Sequence, residues 1–127
     1  LPIKIIVFNN RSLGMVKLEM EVDGLPDWQT DMLNPNFAQV AEATGMTGFN
    51  VSDPEEVLTT LYNAFEIDGP VLINIMTDPN ALAMPPKIEL GQMVGFAQSM
   101  YKLLINGRTQ EVIDTINSNY KHIREVF

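Results

Sequence analysis

The chain has 127 residues, of which 46% are hydrophobic and 19% charged, a composition typical of one globular domain and not of a disordered or fibrous protein. Its formal net charge is -8 and its eight Lys and Arg are scattered, which argues against a nucleic-acid surface, because phosphate binding needs clustered basic residues. The sequence has no Cys and a single His, His122, so disulfides and multi-histidine or cysteine metal sites are excluded.

The first predicted element is a strand over Ile3 to Phe8, with the sequence IKIIVF. A continuous apolar run of this kind is typical of a strand that is covered on both faces. The chain has no initiator Met and opens directly into this strand, so we expect it to be a piece of a longer polypeptide. No stretch approaches the roughly 20 apolar residues of a membrane-spanning helix.

Strands and helices alternate over the next part of the chain. The predicted elements are a helix within 11–21, a helix from Asn36 to Gly45, a strand over 46–51, a helix from Asp53 to Asp68 and a strand over 71–76. This alternation predicts an α/β fold, with a parallel sheet and helices on both of its sides. Ligands of such sheets bind beyond the carboxyl ends of the strands, and Asn9 and Asn10 occupy that position on the first strand.

The last third of the chain has a different character. An extended connector with two prolines is predicted over Ala81–Ile88, a helix over Gln92–Ile105 and a more polar helix over Thr109–Phe127. We therefore divide the chain into a sheet-containing part over 1–80 and a connector with a helical tail over 81–127.

The tail helix has an apolar stripe at helical spacing. Its members are Val112, Ile116, Tyr120, Ile123 and Phe127. Such a stripe is expected first of a helix that docks on its own protein, and the alternative is a helix that lies on a membrane surface. The polar face of the helix mixes acidic and basic residues, so electrostatics alone would not attract it to anionic lipid.

Asn9, Asn10, Ser12 and Gly14 are the first candidates for chemistry. An Asn side-chain oxygen is a hard, neutral ligand suited to magnesium, and Gly14 lets the backbone approach a ligand closely. Asn and Ser also form turns and helix caps, and the residues alone leave both interpretations open. Glu19 is either a substrate-orienting or acid–base carboxylate in the same crevice or a solvated helix residue.

Several stretches together resemble the C-terminal part of thiamine-diphosphate enzymes, and among them the flavin-containing pyruvate oxidases of the quinone-reducing pyruvate dehydrogenase type. The resemblance covers essentially the whole chain. The matching stretches are Val7–Asn10, Leu13–Val16, Glu19-Met20, Asn36–Ala38, Ala41–Ala43, Asp68–Leu72, Ala83–Ile88, Gly107-Arg108 and Glu111–Ile113.

The resemblance implies a role for each residue of the first crevice. Asn10 would bind the magnesium that carries the diphosphate, beside the backbone carbonyl of Ser12. Leu13, Gly14 and Met15 would line the cofactor. Met15, Val16 and Glu19 would face the bound 2-keto acid, with Glu19 as the catalytic carboxylate. An acidic magnesium ligand in a Gly-Asp-Gly motif is expected upstream of this chain.

The resemblance also implies the activity of the parent protein. It would oxidatively decarboxylate pyruvate with thiamine diphosphate, Mg²⁺ and FAD, and pass electrons to quinone or oxygen. We expect a cytoplasmic homotetramer, with residues 109–127 in peripheral contact with the inner face of the cell membrane. FAD would be bound by a domain absent here. The isolated chain is expected to be inactive and to bind magnesium-thiamine diphosphate feebly.

Two alternatives stand beside this interpretation. Acetolactate synthases share the segment Leu13–Val16 but usually continue with a Gln-Trp-Gln-like segment, where this chain has Lys17-Leu18-Glu19-Met20. The other alternative is not catalytic: a terminal module that binds lipid or regulates the parent.

Overall fold

The structure is a computed structural model that describes residues 1–81 and 89–126, and the side chains of 1–81 and 89–120. Its elements in chain order are β1 (Lys4–Asn9), α1 (Gly14–Val22), α2 (Phe37–Ala43), β2 (Thr47–Val51), α3 (Pro54–Glu66), β3 (Val71–Met76), α4 (Leu90–Ile105) and α5 (Thr109–Val126). The three strands are parallel and helices flank them, which confirms the predicted α/β fold. The predicted connector Ala81–Ile88 lies, after its first residue, outside the described residues.

The chain forms two compact units. The sheet unit comprises Leu1–Arg11 and Leu33–Thr77, and the helical unit comprises the described residues of Ser12–Met32 and Asp78–Phe127. The helical unit therefore contains α1 together with α4 and α5. The division into a cofactor-binding domain over 1–80 and a tail over 81–127 stays a prediction.

The sheet has the strand order β1-β3-β2, so that β3 lies at its centre. Alternate residues of β3 point to opposite faces of the sheet, as the period of a strand requires. Val71, Ile73 and Ile75 face a core that also contains Val51 and Ala64. Val57, Leu61, Phe49 and Ile67 pack against that core.

The helix α2 packs on the other face of the sheet. Ala38 and Ala41 are its buried residues, and both are small. A Cβ on Gly48 of β2 would overlap the backbone of Ala38, so the glycine is required for this close approach. The helix begins after Asn36, whose Oδ1 accepts a hydrogen bond from the Gln39 N–H at 3.2 Å.

The start of α3 agrees with its sequence signals. Asp53 is the N-cap and its Oδ1 accepts a hydrogen bond from the Glu55 N–H at 2.9 Å, while Pro54 opens the first turn. Glu55 and Glu56 lie at the positive end of the helix, where acidic side chains are stabilising. The strand β2 that precedes it was predicted to start at Met46 and starts at Thr47.

The strand β1 differs from its prediction. In residues 1–81 and 89–126 it pairs with β3 alone and forms one edge of the sheet. Ile5 and Ile6 are partly exposed, and Phe8 is 74% exposed. The expected cover on both faces of this strand is therefore not observed among the described residues.

In the helical unit, α1 packs against α4 through a glycine. A Cβ on Gly95 would overlap the backbone carbonyl oxygen of Val22. Two further side chains of α4 hold the segment after α1: Ser99 Oγ donates to the Leu25 carbonyl at 2.9 Å, and Lys102 Nζ donates to the Gly24 carbonyl at 2.8 Å. These bonds satisfy backbone carbonyls of the segment that follows α1.

The helix α5 buries a face that its apolar stripe did not predict. Val112 packs against Met100 and Leu103 of α4, but the other buried side chains among residues 109–120 of α5 are the polar Thr115 and Asn119. Asn119 Nδ2 donates to the carbonyl of Asn80 at 2.8 Å.

The rest of the predicted stripe is not on the buried face. Ile116 is 46% exposed and Tyr120 is 58% exposed, while the side chains of Ile123 and Phe127 lie outside the described ones. Asn119 is compatible with a packed helix because its Nδ2 bonds to the carbonyls of Asn80 and Thr115, a pairing that hydrophobic periodicity cannot reveal. The Oγ1 atom of Thr115 is buried without a hydrogen-bond partner among the described residues. No helix in the described part of the chain is long and apolar enough to cross a membrane.

Candidate functional site

The carboxyl edge of the sheet carries the first candidate residues. The strand β1 ends at Asn9, whose carbonyl accepts a hydrogen bond from the Thr77 N–H at 3.1 Å. The buried side chain of Asn9 turns back on its own unit. Its Oδ1 accepts from the Arg11 N–H at 3.2 Å and from Asn34 Nδ2 at 2.8 Å. Asn9 therefore organises the turn that follows the strand, as Asn does in many turns.

A polar cleft of about 390 Å³ opens at this edge of the sheet unit. It is lined by Asn9, Arg11, Asn34, Pro35, Asn36, Asn50, Ser52, Asn74 and Met76. Five of these nine side chains are amides, so the cleft offers mixed donors and acceptors and little apolar surface.

Asn10 is the predicted magnesium ligand. It follows β1 directly and is half-buried in the sheet unit. It does not line the polar cleft. Its position beyond a strand end agrees with the general location of ligands in parallel sheets, and its role as a ligand stays a prediction.

The residues after Arg11 belong to the helical unit. Ser12 is buried and pairs with Asp31 in an isolated antiparallel bridge, and the Leu13 N–H donates to the Thr30 carbonyl at 2.8 Å. These contacts fix the backbone immediately before α1, which begins at Gly14.

The start of α1 has the properties of an anion site. Leu13 at the N-cap position makes no side-chain capping bond, and the first turn contains no acidic residue. The first N–H groups of a helix have no intrahelical acceptors, and the helix dipole adds positive potential there. An apolar residue at the N-cap leaves these donors to an external acceptor, and a diphosphate fits that requirement.

The predicted substrate residues share one side of α1. Met15 and Val16 are exposed, as is Glu19 one turn later, while Lys17 and Leu18 are buried. Met15, Val16 and Glu19 are thus accessible within the helical unit. Their contact with a 2-keto acid, and the catalytic role of Glu19, stay predictions.

The buried face of α1 carries charges that sequence patterning assigned to solvent. Lys17 Nζ lies 3.1 Å from Glu111 Oε1 and donates to Asn80 Oδ1 at 3.3 Å. Arg108 Nη2 lies 2.6 Å from Glu111 Oε2 and 2.9 Å from Asp27 Oδ1. The network joins α1, the segment that follows it and the start of α5.

Glu21 lies one turn after Lys17 on the same buried face and is fully buried. Neither carboxylate oxygen of Glu21 has a hydrogen-bond partner among the described residues. The pKa of Glu21 is raised from 4.5 to about 7, chiefly by burial. The positive charges of Lys17 and Arg108 act to lower this pKa, and the negative charges of Asp27 and Glu111 act to raise it. Glu21 is therefore largely protonated at slightly acidic pH.

Sequence reasoning missed this network for a physical reason. A Lys and a Glu four residues apart are typical of an exposed helix face, and only the positions of Arg108 and Glu111 in space reveal that they are buried. No group of three or more His, Cys, Asp or Glu in the described part of the chain is arranged to hold a metal ion.

Comparison with known proteins decides the family. Residues 1–75 match the family described as "Thiamine pyrophosphate enzyme, C-terminal TPP binding domain". The chain belongs to the thiamine pyrophosphate enzymes. Thiamine pyrophosphate is another name for thiamine diphosphate, so this part of the resemblance is confirmed.

Individual relatives agree with this family. The chain is 36% identical over 102 residues to the "Putative thiamine pyrophosphate-containing protein YdaP" of Bacillus subtilis (strain 168), covering 80% of this chain and 18% of that protein. It is 32% identical over 104 residues to the acetolactate synthase large subunit of Porphyra purpurea, covering 77% and 18%. It is 32% identical over 96 residues to the acetolactate synthase large subunit of Haemophilus influenzae, covering 73% and 17%.

These matches correct one expectation. They support a thiamine pyrophosphate enzyme but not a pyruvate oxidase in particular, and acetolactate synthases are at least as well supported. The chain spans less than a fifth of the length of these three relatives. The similarity therefore covers only a small part of each of these relatives.

The buried Glu21 of this thiamine pyrophosphate enzyme is expected to make the free energy of unfolding depend on pH. Because the folded state holds its proton up to about pH 7 and the unfolded state releases it near 4.5, the free energy of unfolding falls as pH rises through this window. We expect Glu21→Gln to stabilise the chain by about 3 kcal/mol at most at pH 8, and by little at pH 4. Urea unfolding at both pH values measures this difference.

The matched control is Glu19→Gln, on the exposed side of the same helix. A surface substitution is expected to change the free energy of unfolding by less than about 0.5 kcal/mol at either pH. An equal effect of both substitutions at pH 8 would contradict the assignment of a buried, protonated Glu21.

Proposed function

We propose that this chain contributes part of the magnesium and diphosphate site of a longer enzyme that decarboxylates pyruvate. The observation that carries the proposal is the start of α1, an uncapped helix end within the part of the chain that matches the cofactor-binding family. The sheet unit adds Asn10 beyond a strand end.

Each residue has a role in this proposal. Asn10 and the backbone carbonyl of Ser12 would bind Mg²⁺, which prefers oxygen ligands. The backbone around Leu13 and Gly14 would bind the diphosphate, since N–H groups there lack intrahelical acceptors. Met15, Val16 and Glu19 would contact the 2-keto acid, with Glu19 orienting it or exchanging a proton with it. When bound, thiamine diphosphate supplies the electron sink that decarboxylation requires.

We further propose that the enzyme joins the two-carbon unit of pyruvate to a second 2-keto acid, as an acetolactate synthase does. Support comes from the relatives of Porphyra purpurea and Haemophilus influenzae, which bear that name and match 73% or more of this chain. In this case the exposed side of α1, with Met15 and Val16, would meet both keto acids.

Oxidative decarboxylation with FAD is the second candidate, and one observation favours it. Where acetolactate synthases usually have a Gln-Trp-Gln-like segment, this chain has Lys17, Leu18 and Glu19. Leu18 is buried and Lys17 is held by Glu111, so this segment is built into the helical unit and does not present an aromatic side chain. The electron acceptor would be quinone or oxygen, and the enzyme a homo-oligomer.

A peripheral membrane contact through residues 109–127 belongs to this second candidate. The observation that supports it is the exposed apolar side of α5, formed by Ile113, Ile116 and Tyr120. An amphipathic helix binds a membrane surface by burying such residues at the headgroup boundary.

The role of Asn10 is tested in the full-length enzyme that contains this chain. We expect Asn10→Leu to weaken Mg²⁺ and thiamine diphosphate binding by about tenfold or more, because the side chain keeps its size but loses its oxygen ligand. Isothermal titration measures both affinities. The control is Asn63→Leu, an exposed position on α3, which should bind as the parent does. Unchanged affinity of Asn10→Leu would refute the assignment.

A product assay separates the two proposed reactions. The full-length enzyme is supplied with pyruvate, thiamine diphosphate and Mg²⁺, with and without a quinone. We expect acetolactate to form without any electron acceptor, because joining two keto acids transfers no electrons to an acceptor. Acetate formed together with reduced quinone or peroxide, and no acetolactate, would instead establish the oxidase.

Liposome sedimentation tests the membrane contact. If α5 lies on lipid, we expect the chain to co-sediment with neutral and anionic vesicles, and Ile113→Asp with Ile116→Asp to reduce this by about tenfold or more, since each change places a charge in the apolar layer. The control is Asp114→Asn with Ser118→Ala, on the same helix but away from its exposed apolar side. Equal sedimentation of both double variants would rule the contact out.

A further inference from the structure

One face of the sheet unit carries polar residues where parallel sheets are normally apolar. Asn74 lies at the middle of the central strand and is in register with Asn50 of β2 and Val7 of β1. Asn9 follows Val7 on the same face, two residues further toward the carboxyl edge. Asn is depleted in strands, and a buried parallel strand is usually a run of Val, Ile and Leu. Three asparagines on adjacent strands therefore depart from this rule.

These asparagines face one another at the base of the polar cleft. Asn74 Nδ2 donates to Asn50 Oδ1 at 2.6 Å. Asn9 Oδ1 receives its two hydrogen bonds from Arg11 and Asn34, which are both at the wall of the cleft. The arrangement holds the base of the cleft in one conformation before any ligand binds, which lowers the cost of ordering on binding.

The Oδ1 atom of Asn74 is the unexplained group. Asn74 is only 2% exposed, it lines the cleft, and no donor among the described residues bonds to its Oδ1. A buried acceptor without a donor costs about 1–3 kcal/mol, so native proteins rarely retain one without a reason. A donor that enters the cleft would remove this cost.

The charge of the cleft selects among possible donors. Arg11 is the single ionisable residue among those that line it, although the whole chain carries a net charge of -8. A cation would meet a positive charge and amides but no carboxylate. An anion would meet Arg11 together with amide donors, and a guanidinium binds carboxylate or phosphate through two parallel bonds.

The geometry points to a binding site in this cleft for a small hydroxylated organic anion, either a hydroxycarboxylate or a hydroxylated phosphate ester. Arg11 binds its charged group, and a hydroxyl of the ligand donates to Asn74 Oδ1. Asn50 and Asn34 supply the remaining amide contacts. The volume of about 390 Å³ lies within the range of small-molecule pockets. This site goes beyond the proposed function, because Asn10 and the start of α1 take no part in it.

The test uses the ¹⁵N-labelled 127-residue chain without Mg²⁺ or thiamine diphosphate. Glycerate and glycerol 3-phosphate are the hydroxylated anions, acetate and methyl phosphate lack the carbon-bound hydroxyl, and glycerol lacks the charge. We expect saturable shifts of the side-chain amide signals of Asn9, Asn50 and Asn74 with at least one hydroxylated anion. Its Kd should be about tenfold below that of its hydroxyl-free counterpart, the effect of one satisfied buried hydrogen bond.

Two variants at exposed positions complete the test. Arg11→Gln and Asn50→Ala should each raise the Kd about tenfold, and the control Asn63→Ala should leave it unchanged. Binding of glycerate alone or of glycerol 3-phosphate alone supports the site and identifies its charged group. Equal response to glycerol, no preference over the hydroxyl-free anions, or unchanged binding by Arg11→Gln would overturn it. A chain that binds none of these anions would not change the result expected for magnesium binding by the full-length enzyme. The two proposals are therefore tested separately.

Discussion

The sheet unit depends on the in-register parallel pairing of β1 and β2 with the central strand β3. This pairing brings three carboxyl ends to one edge, and it determines which residues share a face. A shift of one residue would exchange the two faces of a strand, so the apolar set of Val71, Ile73 and Ile75 holds the register in place. The same register then aligns Asn74 with Asn50 on the opposite face. Packing on one side of the sheet thus positions the polar chemistry on the other.

The helical unit rests on a different kind of interaction. The buried Lys17 and the partly exposed Arg108 are matched by the carboxylates of Asp27 and Glu111. Glu21 is the one acid in excess, and it has no cation of its own at hydrogen-bond distance among the described residues. The least costly state of such a group is the neutral one, because an unpaired buried charge costs more than a proton taken up. The raised pKa of Glu21 therefore follows from burial and from the neighbouring negative charges of Asp27 and Glu111.

Much of the fold was predictable from the sequence because its signals are local. The strand Val71–Met76 was predicted with its observed bounds, and Asp53 with Pro54 marked the start of α3. The buried face of α5 was not predictable in the same way. Its apolar stripe left open whether Ile116 packs on the protein or on a membrane, and the structure exposes Ile116, buries Thr115 and uses Asn119 to bond the backbone of Asn80. Polar residues that are satisfied by distant backbone groups leave no periodic trace in a sequence.

The candidate sites differ in the same way: one is made of residues that are neighbours in the chain, and the other of residues that are distant in the chain. Asn10 and the segment from Ser12 to Met15 were predicted from residues adjacent in the chain, where a family resemblance is informative, and their roles stay predictions. The polar cleft was not predicted, since Asn9, Asn50 and Asn74 are separated by 24 residues or more and become neighbours only through the pairing of the strands. Asn50 and Asn74 each stood within a predicted strand, where Asn is depleted, and Asn74 lies in the interior of a buried strand, which contradicts local propensity. Such contradictions are where function is expected, because a sequence keeps a locally unfavourable residue only when something outside the fold compensates for it.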